Sequence, residues 1–294
     1  MASARTILIS GASGAIGADV VRSLARRGAR LAISARRADI LMALADEIEA
    51  AGGIRPLVLS ADLSQRGEAG ELARRATDAL GDVDVLVNNA GASVQGLIAT
   101  VADRDEARHV FETNLWSPLA LVAELAPRML ERGAGTIVNV GSMVRVSPYP
   151  HLGHYAASRA ALALATEVLE LELAPRGVRV VEVALGPIDT PASRENRLLA
   201  GADRWLDGRP GVGRADAAAR AIVAAVEGDA RGVVFHPRSL RWADRLPALG
   251  RRYSRRMARG ADLFDHTVRL GGSAGDPELQ AVHRDWAATA GDPR

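Results

Sequence analysis

The stretch Thr6-Ile7-Leu8-Ile9-Ser10-Gly11-Ala12-Ser13-Gly14-Ala15-Ile16-Gly17 decides the fold. A short apolar run with the look of a buried strand passes directly into a glycine cluster, and an amphipathic helical pattern follows at once. Glycine lets the backbone turn sharply and lets a ligand approach the main chain. The helix start adds free N–H groups and the positive end of a dipole. The unit therefore predicts a turn, from Gly11 through Ser13, Gly14, Ala15 and Ile16 to Gly17, that cradles a pyrophosphate. A glycine cluster alone also fits a mere turn; its place between a strand and a helix at the start of the chain favours the cradle.

Outward from this unit the rhythm repeats. Runs rich in Val, Ile and Leu at Arg30–Ser34, Arg55–Ala61, Asp84–Asn88, Gly135–Val140, Arg179–Ala184 and Gly232–His236 alternate with helical patterns. Ile40, Leu41, Leu44 and Ile48 fall at helix spacing, as do Leu162, Thr166, Leu169 and Leu173. The runs lack strict alternation, as expected of strands covered by helices on both faces. The expected class is α/β, a doubly wound parallel sheet of about seven strands that binds ligands beyond its carboxyl ends. It should occupy residues 1–238, with a basic helical extension over 239–294. Two stretches break the rhythm. Pro191 to Gly213, with apolar spots at Leu198, Leu199, Trp205 and Leu206, reads as a lid or binding loop. Leu240 to Gly260 reads as one amphipathic helix with Leu246, Leu249, Tyr253 and Met257 towards one face, and a short helix is expected around Pro277–Ala288.

Composition narrows the chemistry. The 294 residues are 48% hydrophobic and 24% charged, ordinary for a chain with a sizeable core. No apolar run approaches the ~18 residues of a membrane-spanning helix. The N-terminus lacks a secretory pattern, so a cytoplasmic address is expected. With no cysteine, disulfides, thiolate catalysis and cysteine-ligated metal are excluded. No histidine–acid cluster has metal-ligand spacing, so no metal is expected. All 37 basic residues are arginine, which compositional bias explains; avoidance of nucleophiles near an electrophilic substrate is the sharper reading. From Arg238 to Arg259 eight arginines face one acid, Asp244. The plain reading is a helix packed on the domain or on a partner subunit with its arginines solvated. Peripheral contact with an anionic membrane is the second reading, and nucleic acid is not expected because no interleaved aromatics accompany the charge.

The second strand runs into Ala35-Arg36-Arg37. In dinucleotide-binding sheets an acid here accepts hydrogen bonds from the adenosine ribose. Ala35 followed by Arg36 and Arg37 instead suits a 2′-phosphate, which predicts NADP over NAD.

These features resemble the short-chain dehydrogenase/reductase family, a Rossmann-fold family, over roughly Thr6 to Pro237. Gly11 and Gly17 match its glycine motif, with Ala15 at the middle glycine and Gly14 one place earlier. Asp62, followed by Leu63, stands where the family contacts adenine. Asn88-Asn89-Ala90-Gly91 matches its motif after the fourth strand, and Asn114 its catalytic asparagine in the following long helix. Ser142 and Tyr155 have the family's separation. Gly186-Pro187-Ile188-Asp189-Thr190 resembles its nicotinamide loop, with Leu185 in place of a proline. The resemblance implies a homodimer or homotetramer that exchanges a hydride between NADP(H) and a carbonyl/alcohol substrate. Tyr155 would be the general acid/base, Ser142 would polarise the carbonyl, and Asn114 would position a relay water. By the same analogy Val94, Gln95, Met143, Val144, Tyr149, Leu152 and Trp205 would line an apolar pocket suited to a hydrophobic ketone, and His151 and His154 are lesser candidates for substrate contact.

Position 159 departs from the family, which has lysine four residues after the tyrosine. Arg159 keeps a positive charge on the helix face of Tyr155. A unit charge ~5 Å away at an effective dielectric of ~20 favours a phenolate by about 3 kcal/mol. A guanidinium cannot shuttle a proton, however, because it does not deprotonate in proteins. Two rivals therefore stand beside the ketoreductase: a dehydratase or epimerase on the same scaffold, and a non-catalytic NADP-binding regulator.

Overall fold

In a computed structural model, which describes residues 4–147, 149–191, 193–194, 212–258 and 281, the opening run Thr6–Ser10 forms β1 with all five residues buried. It is the third strand of a seven-stranded parallel sheet, paired on both sides. The other members are β2 (Arg30–Ala35), β3 (Leu57–Ser60), β4 (Val85–Asn88), β5 (Gly135–Ser142), β6 (Val178–Leu185) and, after the short β7 (Ile188–Asp189) and β8 (Gly213–Arg214), β9 (Gly232–His236). The order β3-β2-β1-β4-β5-β6-β9 means that the chain runs from β1 to one edge and then restarts on the other side of β1. The loops leaving β1 and β4 therefore diverge over a crevice at the carboxyl ends, the place where such sheets bind ligands.

Side-chain alternation along the strands feeds two cores. Ile7 and Ile9 point to one face, where they pack with Val20, Val21 and Leu24 of α1 (Ala15–Ala25), Leu41 and Leu44 of α2 (Ala38–Ala50), and Ile222 and Val226 of a later helix, Ala215–Glu227. Leu8 points to the other, with Leu72 of α3 (Glu68–Leu80) and residues of the long helix Ser117–Arg132. Burial on both faces explains the near-continuous apolar strands.

The sequence boundaries shift where backbone chemistry intervenes. Strand β3 starts only at Leu57, because Pro56 has no N–H to give to a ladder. Strand β5 runs two residues further than expected, to Ser142, because its pairing with β6 continues to Leu185. After α4 (Ile98–Val101) and α5 (Asp105–Phe111), the helix expected around Asn114 becomes a π-helical turn over Glu112–Trp116 before α6 (Ser117–Arg132). Pro118 lacks the N–H that an α turn would direct to the Asn114 carbonyl, so the chain widens there.

Beyond α7 (Gly153–Leu173) and α8 (Ala215–Glu227), the basic segment is not one helix. It is a 3₁₀ turn, then α9 (Arg241–Arg245) and α10 (Pro247–Ala258), broken at Leu246. A residue before proline is pushed out of the helical region, and Leu246 has φ −127 and ψ 64. Leu246 and Leu249, expected towards one face of a single helix, are exposed, and Leu240, Ala243 and Gly250 pack on the domain. The side chains of Tyr253 and Met257, the spots Leu198, Leu199, Trp205 and Leu206, and nearly all of Pro277–Ala288 lie outside the described residues. Among the described residues no helix is long and apolar enough to cross a membrane.

The β1–α1 turn is set by close approach. Gly11 has φ +69, and a Cβ there would meet Ala90 Cα at 2.7 Å. A Cβ on Gly17 would collide with the Gly11 carbonyl oxygen, whereas one on Gly14 would meet only that oxygen at 3.6 Å. Gly17→Ala should therefore lose on the order of 2–3 kcal/mol of stability, and Gly14→Ala less than about 1 kcal/mol. Urea unfolding of both variants checks this; equal losses would contradict it.

Candidate active site

The turn after β1 is clamped by the chain leaving β4. Asn89 Nδ2 donates to the carbonyls of Ser10 and Gly11, both at 3.1 Å, and the backbone N–H groups of Asn89 and Ala90 donate to Ser10 Oγ, also at 3.1 Å. Asn89 and Ala90 thus act as braces of the turn. Asn88 points into the sheet, where its Nδ2 donates to Asn139 Oδ1 at 2.8 Å. Among the described residues no side chain caps α1, whose N-cap is Gly14. The result is an open cradle facing a bare helix N-terminus, the arrangement that an anion fits.

At the end of β2, Arg37 reaches back to the Ser13 carbonyl at 3.3 Å, while Arg36 is exposed. Burial works to raise the Asp62 carboxyl, but donors from Ser64 and the Arg36 charge outweigh it and hold Asp62 below the ordinary carboxylate range. Its Oδ1 accepts from Ser64 N at 3.1 Å and Ser64 Oγ at 2.8 Å. Leu63 is buried, and its carbonyl accepts from Ser117 Oγ at 2.8 Å. On the far side of the crevice, Pro187 accepts from Gly213 N at 2.8 Å, Ile188 is buried, and Thr190 exchanges hydrogen bonds with Ser193 at 2.9 and 3.1 Å.

Helix α7 carries Tyr155 and Arg159 one turn apart. Arg159 is only 6% exposed. Its Nη1 donates to the Val140 carbonyl at 3.1 Å and its Nη2 to the Ala90 carbonyl at 3.4 Å. A Cβ on Gly91 would run into Nη2, so glycine leaves the guanidinium its place. The guanidinium carbon stands 5.5 Å from the Tyr155 ring centroid, within cation–π range. Among the described residues Arg159 Nε is buried without a partner. Ser142 ends β5 two residues beyond Val140, and its Oγ accepts from Val144 N at 3.3 Å.

Asn114 is fully buried, with its side chain spent on structure. Oδ1 accepts from Ala92 N at 2.9 Å, and Nδ2 donates to the Ala92 carbonyl at 2.8 Å and to Ser158 Oγ at 2.9 Å. Pro118 leaves the Asn114 main-chain carbonyl without an α-helical donor. His154 Nε2 donates to the Ala102 carbonyl at 2.7 Å, which occupies that ring, and His151 is buried with φ +65. Of the other lining candidates, Val94 packs with Val101 and Val110, and Met143 with Ala184, Phe235 and Ala243. Val144, Tyr149 and Leu152 are half-buried, and Gln95 is buried. Trp205 lies outside the described residues.

Sequence reasoning missed a charged cluster behind Ser142. Glu182 on β6 is 1% exposed, and among the described residues neither of its oxygens has a hydrogen-bond partner. It lies against Gly141, where a Cβ would strike its carboxylate. Arg145 gathers three acids: Asp244 at 2.6 Å, Glu182 at 3.6 Å and Glu167 at 3.8 Å. A glutamate inside the apolar run Arg179–Ala184 was the available signal.

The family model described as short chain dehydrogenase matches residues 5–199, and the chain belongs to that family. Its members are oxidoreductases that use a nicotinamide cofactor. A fatty acyl-CoA reductase of Mycobacterium tuberculosis is 32% identical over 85% of this chain and 82% of its own length. Among solved structures, a short-chain dehydrogenase from Sphingobium yanoikuyae in complex with NADPH is 30% identical, covering 83% of this chain and 93% of that one, with TM-score 0.72. A bulky-bulky ketone specific alcohol dehydrogenase from Comamonas testosteroni is 26% identical, covering 83% and 91%, with TM-score 0.70. The match spans 63% and 59% of the length of two further curated relatives.

Burial pushes the Glu182 carboxyl up to about 7; the Arg145 charge opposes the rise, and Asp244 and Glu167 add to it. The folded chain thus holds a proton that the unfolded chain has released, so stability falls as pH rises through this window. The loss is complete above the folded value, on the order of 3 kcal/mol. Glu182→Gln should remove it: relative to the parent, the variant should gain ~2–3 kcal/mol more at about pH 8 than at about pH 5. Denaturant unfolding at both pH values checks this, and an equal difference at both would contradict it.

Proposed function

We propose that the chain is an NADP(H)-dependent ketoreductase that interconverts a hydrophobic ketone and its alcohol. The observation that carries this reading is the buried guanidinium of Arg159, fixed on two carbonyl oxygens and 5.5 Å from the Tyr155 ring. A fixed positive charge beside Tyr155 suits a residue that exchanges a proton with the substrate oxygen. Tyr155 gives a proton to the carbonyl oxygen in reduction and takes it from the alcohol in oxidation. Ser142 Oγ donates a hydrogen bond to that same oxygen. Asn114 holds a water of the proton path on its main-chain carbonyl, which Pro118 deprives of an α-helical donor.

The residues present fit the cofactor. Gly11, Ser13, Gly14, Ala15, Ile16 and Gly17 would receive its pyrophosphate, and Arg36 and Arg37 its 2′-phosphate. Asp62 and Leu63 would meet adenine. Asn89, Ala90 and Gly91, with Tyr155 and Arg159, would border the nicotinamide ribose, and Pro187, Ile188 and Thr190 the carboxamide. When bound, the cofactor supplies or takes up the hydride. The half-buried Val144, Tyr149 and Leu152 support an apolar substrate, as does the likeness to an alcohol dehydrogenase described as specific for bulky ketones. Residues 1–238 form the catalytic domain in this reading, and 239–294 a basic extension. A homodimer or homotetramer is supported by Leu164, Val168 and Leu171, which present one exposed apolar stripe on α7.

The test is NADPH consumption over a panel of bulky ketones, with Tyr155→Phe as the blank. The parent should turn over at least one of them and prefer NADPH to NADH by ten-fold or more; Arg36→Ala should erase most of that preference, about 1–3 kcal/mol. Equal affinity for the two nucleotides would refute the cofactor assignment, and equal rates for parent and Tyr155→Phe would refute the chemistry.

A further inference from the structure

The basic segment is anchored to the domain along one side. Leu240 and Ala243 join the cluster around Met143 and Phe235, and Gly250 packs on Val146 and Ser147. The opposite side is unusual for a water-facing surface. Leu246, Pro247, Ala248 and Leu249 are four consecutive exposed apolar residues at the junction of α9 and α10. Leu246 is 54% exposed, Leu249 50%, and Trp242, one turn earlier, 48%. An exposed apolar run of this length is a fault in a soluble surface unless something covers it.

The charge around this run says what covers it. Arg241 and Arg245 precede it and Arg251 and Arg252 follow it, all exposed. The segment's one acid, Asp244, is half-buried and paired with Arg145 at 2.6 Å, so the charges that immediately flank the apolar run in sequence are exposed cations. A second copy docked through the same face about a two-fold axis would set arginine against arginine. An anionic bilayer answers both features. Its headgroups pair with the guanidiniums, while leucine side chains and an indole enter the boundary between headgroups and acyl chains.

We infer that the α9–α10 junction is a peripheral docking site for an anionic lipid surface. Trp242, Leu246 and Leu249 insert, and the flanking arginines bind the headgroups. Because α10 rests on Val146 and Ser147, docking sets the loop that follows Ser142 close to the bilayer.

Flotation of the full chain with lipid vesicles tests this. Binding should be strong on phosphatidylcholine containing about one-third phosphatidylglycerol at low salt, weaker at high salt, and weak on pure phosphatidylcholine. The double variant Leu246→Asp, Leu249→Asp should bind at least about ten-fold more weakly. Both changes are at exposed positions, and circular dichroism should confirm an intact fold. Failure of the parent to float with anionic vesicles at low salt would overturn the inference, as would equal flotation of parent and double variant. So would a drop in particle mass caused by the same substitutions in the absence of lipid, which would show that a second copy covers the face.

Discussion

The guanidinium of Arg159 sits where three elements of the fold cross. Helix α7 carries it, the end of β5 receives it at Val140, and the chain leaving β4 receives it at Ala90 and yields space at Gly91. A buried cation is expensive unless ligated, so these contacts fix one another. The chain after β4 cannot move away without stripping a partner from Arg159. The same chain, through Asn89 and the Ala90 N–H, pins the glycine turn after β1. The glycine turn after β1 and the surroundings of Tyr155 are therefore one mechanical unit. A lysine in the same place would offer a single point of charge, whereas the planar fork reaches two carbonyls at once.

Much of this architecture was legible in the sequence, for physical reasons. A strand buried on both faces has little choice but Val, Ile and Leu, so all seven runs were visible, and a turn with no room for Cβ atoms must be written in glycine. Spacing alone placed Tyr155 and Arg159 on one helix face. What could not be read depends on tertiary geometry. The π turn at Asn114 follows from the missing N–H of Pro118, but a proline near a helix start ordinarily suggests only a boundary. Met143 follows Ser142 directly and looked like a pocket residue, yet the arm of α9 draws it into a small core with Phe235 and Ala243. The single amphipathic helix expected over Leu240 to Gly260 is broken at Leu246, the residue before Pro247.

The cluster around Arg145 shows how the late segment is joined to the domain. Asp244 comes from α9, Glu167 from α7 and Glu182 from β6, and all three meet the residue that closes the short turn after Ser142. Burial is the main force that raises the Glu182 carboxyl, to about 7; the Arg145 charge opposes it, and the neighbouring Asp244 and Glu167 add to it. The late segment is thus tied electrostatically to the loop that follows Ser142.

The central claim is that the fixed charge of Arg159 activates Tyr155, and substitution at that position tests it most directly. In the direction of alcohol oxidation, where Tyr155 must accept a proton, Arg159→Lys should retain activity within about ten-fold. Arg159→Met should lose about 10²-fold or more in kcat, because the fixed positive charge beside Tyr155 is gone. An Arg159→Met enzyme that turns over at the parent rate with an unchanged pH profile would contradict the account.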